Sequence, residues 1–187
     1  MEQDYDGTVY PDAEPASRFA GVPDGFARLW TPHRIAYIER GAASSDGCVF
    51  CTAPTLSDEE ALIVHRGRSA YALLNLFPYN SGHLLVVPYR HIATYDEASA
   101  DEVAEIGEIT QTAMRVVRRT SRSDGFNIGM NQGAIAGAGI AAHLHQHVVP
   151  RWAADANFFP IIAQTKALPR LLGEVREEIA AGWPSAV

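Results

Sequence analysis

The stretch "HLHQHVVP", residues 143–150, puts His143, His145 and His147 at every second position. In an extended strand alternate side chains share a face, so the three imidazoles are expected on one side, about 7 Å apart at ~3.3 Å rise per residue. Leu144 and Gln146 then point to the other side, Val148 continues that face, and Pro150 is expected to stop the strand. Three imidazoles in a row can bind one metal ion, as three-histidine zinc sites do. They can equally supply a nucleophile with supporting donors. A surface strand that is histidine-rich by chance is the plain alternative.

The loop just upstream helps to choose. "NQGAIAGAGI" (131–140) carries Gly133, Gly137 and Gly139 among small neighbours. Backbone can approach a ligand closely there, and its N–H groups can hold phosphate oxygens. Joined to the histidines, the loop places an anion beside an imidazole. Imidazole is a competent nucleophile near neutral pH. The pair points to phosphoryl or nucleotidyl transfer through a phospho-histidine link. A second cluster of reactive side chains, Cys48-Val-Phe-Cys51, is a lone C-x-x-C. Alone it reads as a redox pair, two buried thiols or half of a metal site.

These residues need elements to hold them. "SAYALLNLFP" (69–78) and "GHLLVVP" (82–88) are apolar runs joined by the turn chemistry of "PYNSG", and together predict an antiparallel hairpin. Residues 96–121 predict a long amphipathic helix. Its apolar stripe is Val103, Ile106, Thr110, Ala113 and Val117, with acids leading and arginines closing. "GFNIGMN" (125–131) reads as a strand, 132–142 as a small-residue loop, and 166–183 as a second helix. Residues 28–38 are expected to pack on the domain and 39–47 to form a loop. Strands with a long helix inserted predict a single α+β domain over residues 28–187 on an antiparallel sheet, preceded by a flexible tail at 1–27.

Bulk properties narrow the function. The chain of 187 residues has a formal net charge of −7, which excludes a broad basic face for nucleic acid. Arg115, Arg118, Arg119 and Arg122 cluster where cations suit a helix C-terminus. No run approaches the ~20 apolar residues of a membrane span, and the start of the chain lacks the pattern of a secretory signal. The chain is therefore read as cytoplasmic, with no membrane partner. Two cysteines do not make a secreted disulfide framework.

His143-Leu144-His145-Gln146-His147-Val148-Val149 resembles the histidine triad (HIT) motif, His-x-His-x-His followed by two apolar residues. "LNLFPYNSGHLLVVPYRH" resembles the segment before that family's long helix, and "NQGAIAGAGIAAHLHQHVVPRW" its active-site loop and strand. The likeness runs from about residue 48 to 160, closest to the bacterial branch resembling diadenosine tetraphosphate phosphorylases or hydrolases. It implies a HIT-like antiparallel sheet of about five strands, one long helix and a C-terminal helix.

It also implies roles. His145 would attack the α-phosphorus of a nucleotide such as a dinucleoside polyphosphate, and water or phosphate would release the nucleotidyl-histidine. His147 would serve the leaving group. Asn131 and the backbone of Gly137, Ala138, Gly139 and Ile140 would hold phosphate oxygens. Asn75 falls at a ribose-contacting position, and His83 at a histidine supporting the site. Relatives often carry Gln or Ser where this chain has Ala138-Gly139, which keeps open a nucleotide-binding sensor or partner module with little catalysis. Arg151 and Trp152 could frame the substrate, though Trp152 could equally just pack, and "DANFF" (155–159) could reach the site or the core. In zinc-containing members, two Cys join two His, which maps to Cys48, Cys51, His91 and His143 as a structural Zn²⁺ site. A homodimer is the assembly the resemblance implies.

Overall fold

The computed structural model describes residues 47–153, 155 and 169–184. The expected tail at 1–27, the segment 28–38, most of the loop 39–47, "DANFF" beyond Asp155 and the first three residues of the expected helix at 166–183 lie outside the described residues. With them, the 28–187 domain boundary stays an expectation.

Five strands form one sheet: β1 (Ile63–Arg66), β2 (Ala70–Leu74), β3 (Leu84–Pro88), β4 (Gly125–Gly129) and β5 (Gln146–Arg151). The spatial order is β1-β2-β3-β5-β4, and every pairing is antiparallel. The predicted hairpin is present, with Leu74 opposite Leu84. β1 was not assigned from the sequence. It is four residues long and follows Leu62, which sits at φ 56°. Among the described residues three α-helices accompany the sheet: α1 (Val49–Thr52), α2 (Ala100–Ser121) and α3 (Leu172–Gly182).

α2 starts four residues later than the composition predicts. Ser99 caps it in a reciprocal box with Glu102, and Tyr95–Glu97 form a separate 3-10 turn capped by Thr94. Its buried stripe is also rotated. Ile106, Thr110, Ala113 and Val117 face inward as expected, whereas Val103 gives way to Ile109, Val116 and two glutamates, Glu102 and Glu105. Both carboxylates are bonded. Glu102 takes Arg90 Nε and Nη2 at 3.1 and 2.7 Å. Glu105 accepts the N–H groups of Arg68, Ser69 and Ala70 at 2.7, 2.5 and 3.2 Å, and the Ser69 hydroxyl. That carboxylate fills the β1–β2 turn, so a Cβ on Gly67 would meet Ala70 O and Glu105 Oε1 at 2.7 Å each.

The sheet has two faces. Ala72, Leu74, Leu84, Val86 and Val148 pack under α2 and α3 in the larger core. Ile63, Tyr71, Leu73, Leu85 and Val87 face the other way, against Phe50 and Ala53 of the α1 segment. The second face carries the histidines. The four arginines at the end of α2 make local contacts: Arg119 donates to Gly182 O at 2.8 Å, Arg118 lies 5.2 Å over the Phe126 ring, Arg115 donates to Thr112 Oγ1 at 2.8 Å, and the Arg122 main-chain N–H donates to Arg118 O. No helix among the described residues is long and apolar enough to cross a membrane.

Candidate active site and metal centre

The three histidines are not three equivalent rungs of a strand. β5 begins at Gln146, so only His147 lies within it, and His143 and His145 belong to the approach. The approach is pinned by Leu144, whose N–H donates to Ile92 O at 2.6 Å while its side chain is buried. Nor does Pro150 stop the strand. β5 runs to Arg151, because past Val148 it pairs with β4 alone and needs no N–H toward β3 at Pro150.

Main-chain carbonyls sort the imidazoles. A carbonyl can only accept, so each ring nitrogen facing one must carry the proton. His143 Nε2 faces Pro88 O at 2.9 Å, and His145 Nδ1 faces His143 O at 2.8 Å. His143 therefore presents its Nδ1 lone pair and His145 its Nε2 lone pair. His147 is set by a fourth histidine, His83. Tyr79 N–H donates to His83 Nδ1 at 3.0 Å, leaving the His83 proton on Nε2, 2.9 Å from His147 Nδ1. His147 then carries its own proton on Nε2. The rings of His145 and His147 lie 5.1 Å apart, nearly edge-on at 70°. One offers a lone pair and its neighbour a donor.

Burial keeps these rings neutral. It pushes His145 below its ordinary value, against the His143 carbonyl, which favours the charged form. It pushes His147 down to about 4, with the neighbouring His145 adding to the effect. A neutral imidazole is the form that can attack phosphorus.

His143 turns away from this pair. Its Nδ1 lies 3.2 Å from Cys48 Sγ and 3.5 Å from Cys51 Sγ, and Cys51 Sγ lies 3.2 Å from His91 Nδ1. The ligand atoms of Cys48, Cys51, His91 and His143 all fall within 4.8 Å of one another. Tetrahedral bond lengths of ~2.0–2.3 Å put neighbouring donors about 3.3–3.8 Å apart, so the four can hold a metal ion. Burial and the adjacent Cys48 push the Cys51 thiol up, a penalty that a divalent ion between them would remove. The Pro88 carbonyl behind His143 is the outer partner that metal-binding imidazoles require. A single metal held by all three triad histidines does not fit, since His145 and His147 stand outside this cluster.

The other expected residues are placed as follows. His83 is fully buried and touches His147 directly. Asn75 takes Phe77 N–H on Oδ1 at 3.0 Å and lies with Nδ2 3.4 Å from His83 Nδ1. It is a turn cap whose other end reaches the site. The glycine loop closes on itself through a 3-10 turn at Ala134–Ala136, with Gly133 and Gly137 at φ 79° and 82°. Gly137 N–H and Ala138 N–H donate within that turn to Ala134 O and Gly133 O, at 3.0 and 3.4 Å. Of the expected phosphate cradle, Gly139 and Ile140 are the backbone nearest His143, whose N–H meets Ile140 O at 3.5 Å. Asn131 is half-buried at the mouth of this loop.

Trp152 packs. Its Nε1 donates to Ser121 O at 3.0 Å, and it lines a cavity of about 500 Å³ on the helical side of the sheet, away from the histidines. Arg151 is held by Asp155 and by Asn127 Oδ1. Sequence reasoning missed Tyr79, whose ring stacks on His147 at 5.7 Å and 21°. It also missed Phe50, which packs against both His143 and His145. Aromatic character in "LFPY" and beside Cys48 was the available signal.

Comparison with known proteins agrees with this geometry. The HIT domain family profile matches residues 57–154. AP-4-A phosphorylase of Mycobacterium tuberculosis is 46% identical over 173 residues, covering 89% of each chain. A hypothetical histidine triad nucleotide-binding protein of Sulfolobus tokodaii superposes with a TM-score of 0.59 at 26% identity, over 72% of this chain and 91% of that one. A zinc-bound histidine triad family protein of Mycobacterium smegmatis gives 0.58 at 24% identity, over 76% and 94%.

Proposed function

This chain belongs to the HIT domain family, and we propose that it is a nucleotidyl hydrolase or transferase that cleaves dinucleoside polyphosphates at the α-phosphate through His145. The observation that carries this reading is the His145 Nδ1–H bond to the His143 carbonyl. It fixes the tautomer with a lone pair on Nε2 and supports the positive charge that builds on the ring during attack. Nε2 forms a bond to the α-phosphorus, the bond to the bridging oxygen breaks, and its electron pair leaves with the polyphosphate. His147, with Nε2–H beside this position, donates a hydrogen bond to the departing oxygen. In the second step the acceptor oxygen attacks the nucleotidyl-imidazole and His145 is regenerated. The AP-4-A phosphorylase relative favours inorganic phosphate as that acceptor, so product analysis with and without phosphate separates phosphorolysis from hydrolysis. The N–H groups of Gly139 and Ile140, with Asn131, form the cradle for the non-bridging oxygens. Asn75 meets the ribose at the other end of the site.

Cys48, Cys51, His91 and His143 are the ligands of a structural Zn²⁺. Two thiolates and two imidazoles suit tetrahedral zinc with no open position. Bound there, the ion supplies charge neutralisation and a cross-link. The residues do the positioning: His143 joins the cluster by its side chain and holds the nucleophile by its carbonyl. We also read the assembly as a homodimer. Among the described residues β4 pairs with β5 alone, and its Ile128 is 46% exposed. Sedimentation at micromolar concentration checks this. For the reaction itself, His145→Ala should abolish turnover of a dinucleoside tetraphosphate and covalent labelling by it. Turnover retained in that variant would sink the mechanism.

A further inference from the structure

His147 meets the leaving group, and what it can give depends on where the protons of its neighbours sit. Two N–H groups converge on one nitrogen of His83. Tyr79 N–H donates to Nδ1 at 3.0 Å. The Asn75 amide is oriented by Phe77 N–H on its oxygen, which turns its NH₂ toward the same Nδ1 at 3.4 Å. A proton on Nδ1 would face two donors. The single proton of His83 therefore stays on Nε2, bonded to His147 Nδ1 at 2.9 Å. The Tyr79 ring holds both planes, lying 5.7 Å from His147 and 4.8 Å from His83. Its turn is anchored by Asn80, whose Nδ2 reaches Pro150 O and Asp155 at 3.1 and 2.8 Å.

Such a chain donates a hydrogen bond at His147 Nε2, but a full proton transfer from it needs a replacement on Nδ1. That replacement would come from His83 Nε2 and leave His83 an anion, since its other nitrogen is occupied as an acceptor. We infer that Asn75 and the Tyr79 main chain wire the His83–His147 pair as a donor with no transferable proton. This selects substrates whose leaving group departs as a phosphate anion over nucleoside phosphoramidates, whose leaving group is an amine. With an anhydride, the P–O electron pair leaves on an oxygen that is already a stable anion, and no proton need move. With a phosphoramidate, breaking P–N would put that pair on an amide nitrogen unless an imidazolium protonated it first. Asn75 acts here as a positioning residue, through His83. The inference rests on nucleotidyl transfer through His145.

The test compares a dinucleoside tetraphosphate with a phosphoramidate of the same nucleoside bearing an aliphatic amine. In the wild-type protein kcat/KM should favour the anhydride by about 10²-fold or more, the lower range of what a general acid contributes. Asn75→Asp offers a carboxylate at His83 Nδ1 and favours a second proton on that ring, so the ratio should narrow by about tenfold or more. Both substrates share the nucleoside and α-phosphate, so any lost ribose or turn contact cancels from the ratio. Long-range ¹⁵N–¹H spectra of the wild-type imidazoles should show protons on Nε2 of both His83 and His147. Comparable turnover of the two substrates, an unchanged ratio in a folded Asn75→Asp variant, or a proton on His83 Nδ1 would each overturn the wiring. If the anhydride is cleaved through a His145 adduct while the ratio is near unity, only this inference fails. If no adduct forms, the proposed function fails, and the spectra still decide where the protons sit.

Discussion

Replacing Glu102 with Gln tests how the fold holds the segment between the metal cluster and the long helix. Glu102 is 5% exposed, accepts Arg90 Nε and Nη2, and caps α2 through Ser99 N–H at 2.7 Å. The Arg90 guanidinium holds its carboxyl at about 2, down from 4.5. Taken whole, that difference is worth ~3.4 kcal/mol at 1.36 kcal/mol per unit. The Arg90 side chain is 52% exposed, so water screens much of it. A stabilisation of about 1–2 kcal/mol is the reasonable expectation. Because the folded value lies below the unfolded one, this contribution is complete above about pH 4.5 and fades as the pH falls toward 2. Urea unfolding of wild type and Glu102→Gln should therefore differ by about 1–2 kcal/mol at pH 7, with the two curves converging in acid. A gap of the same size at pH 7 and pH 3, or none at pH 7, would refute the assignment. Arg90 follows Pro88, which holds His143, and precedes His91, so the variant should also lose metal to a chelator faster than wild type.

His147→Asn should lower kcat by about 10²–10³-fold, the scale of one misplaced transition-state hydrogen-bond donor, while the nucleotidyl adduct on His145 still forms with an activated substrate. Turnover should hold steady from pH 7 to about 6.5 and fall only as the buried nucleophile His145, pushed below its ordinary value, takes up a proton; burial pushes His147 down to about 4. The neutral ring favours the folded state above the unfolded value near 6.5, so its linked stability is lost as the pH drops from there toward 4. Gly67→Ala should cost about 1–3 kcal/mol in chemical denaturation, because the new methyl would press on Ala70 O and the Glu105 carboxylate at 2.7 Å. Cys51→Ser should reduce bound zinc, measured by elemental analysis, from near one equivalent toward zero and lower the melting temperature. A variant that keeps both would remove Cys51 from the site.

The features that repeat in sequence were legible, and those built from single contacts were not. The hairpin, the long helix and the histidine spacing all rest on patterns of ten or more residues or on a repeated residue type. β1 rests on four residues after a left-handed Leu62, too short for periodicity to register. In the sequence Glu102 and Glu105 register only among the acids that lead the helix. Their partners, Arg90 and the Arg68–Ala70 main chain, come from the sheet, so nothing within the helix marks them as buried. The C-x-x-C pair becomes half of a cluster able to hold a metal only where β3 and the approach to β5 bring His91 and His143 alongside it.

The unequal roles of the triad show most clearly what spacing cannot carry. His-x-His-x-His specifies three rings but not which nitrogen of each is free. That choice is made by the Pro88 carbonyl, the His143 carbonyl and the Tyr79 N–H. Main-chain groups leave no residue signature. Any side chain at 88, 143 or 79 could offer the same carbonyl or, proline apart, the same N–H. The position of the strand start then matters more than the histidines themselves. By entering β5 only at Gln146, the chain leaves the His143 carbonyl outside the ladder, where it can accept from His145 Nδ1. A ladder extended back to His143 would engage that carbonyl with a neighbouring strand and release the nucleophile from its tautomer. On the proposed mechanism, the residues that hold His143 in place, Cys48 and Cys51 on one side and Pro88 on the other, therefore govern the reactivity of His145 without touching substrate.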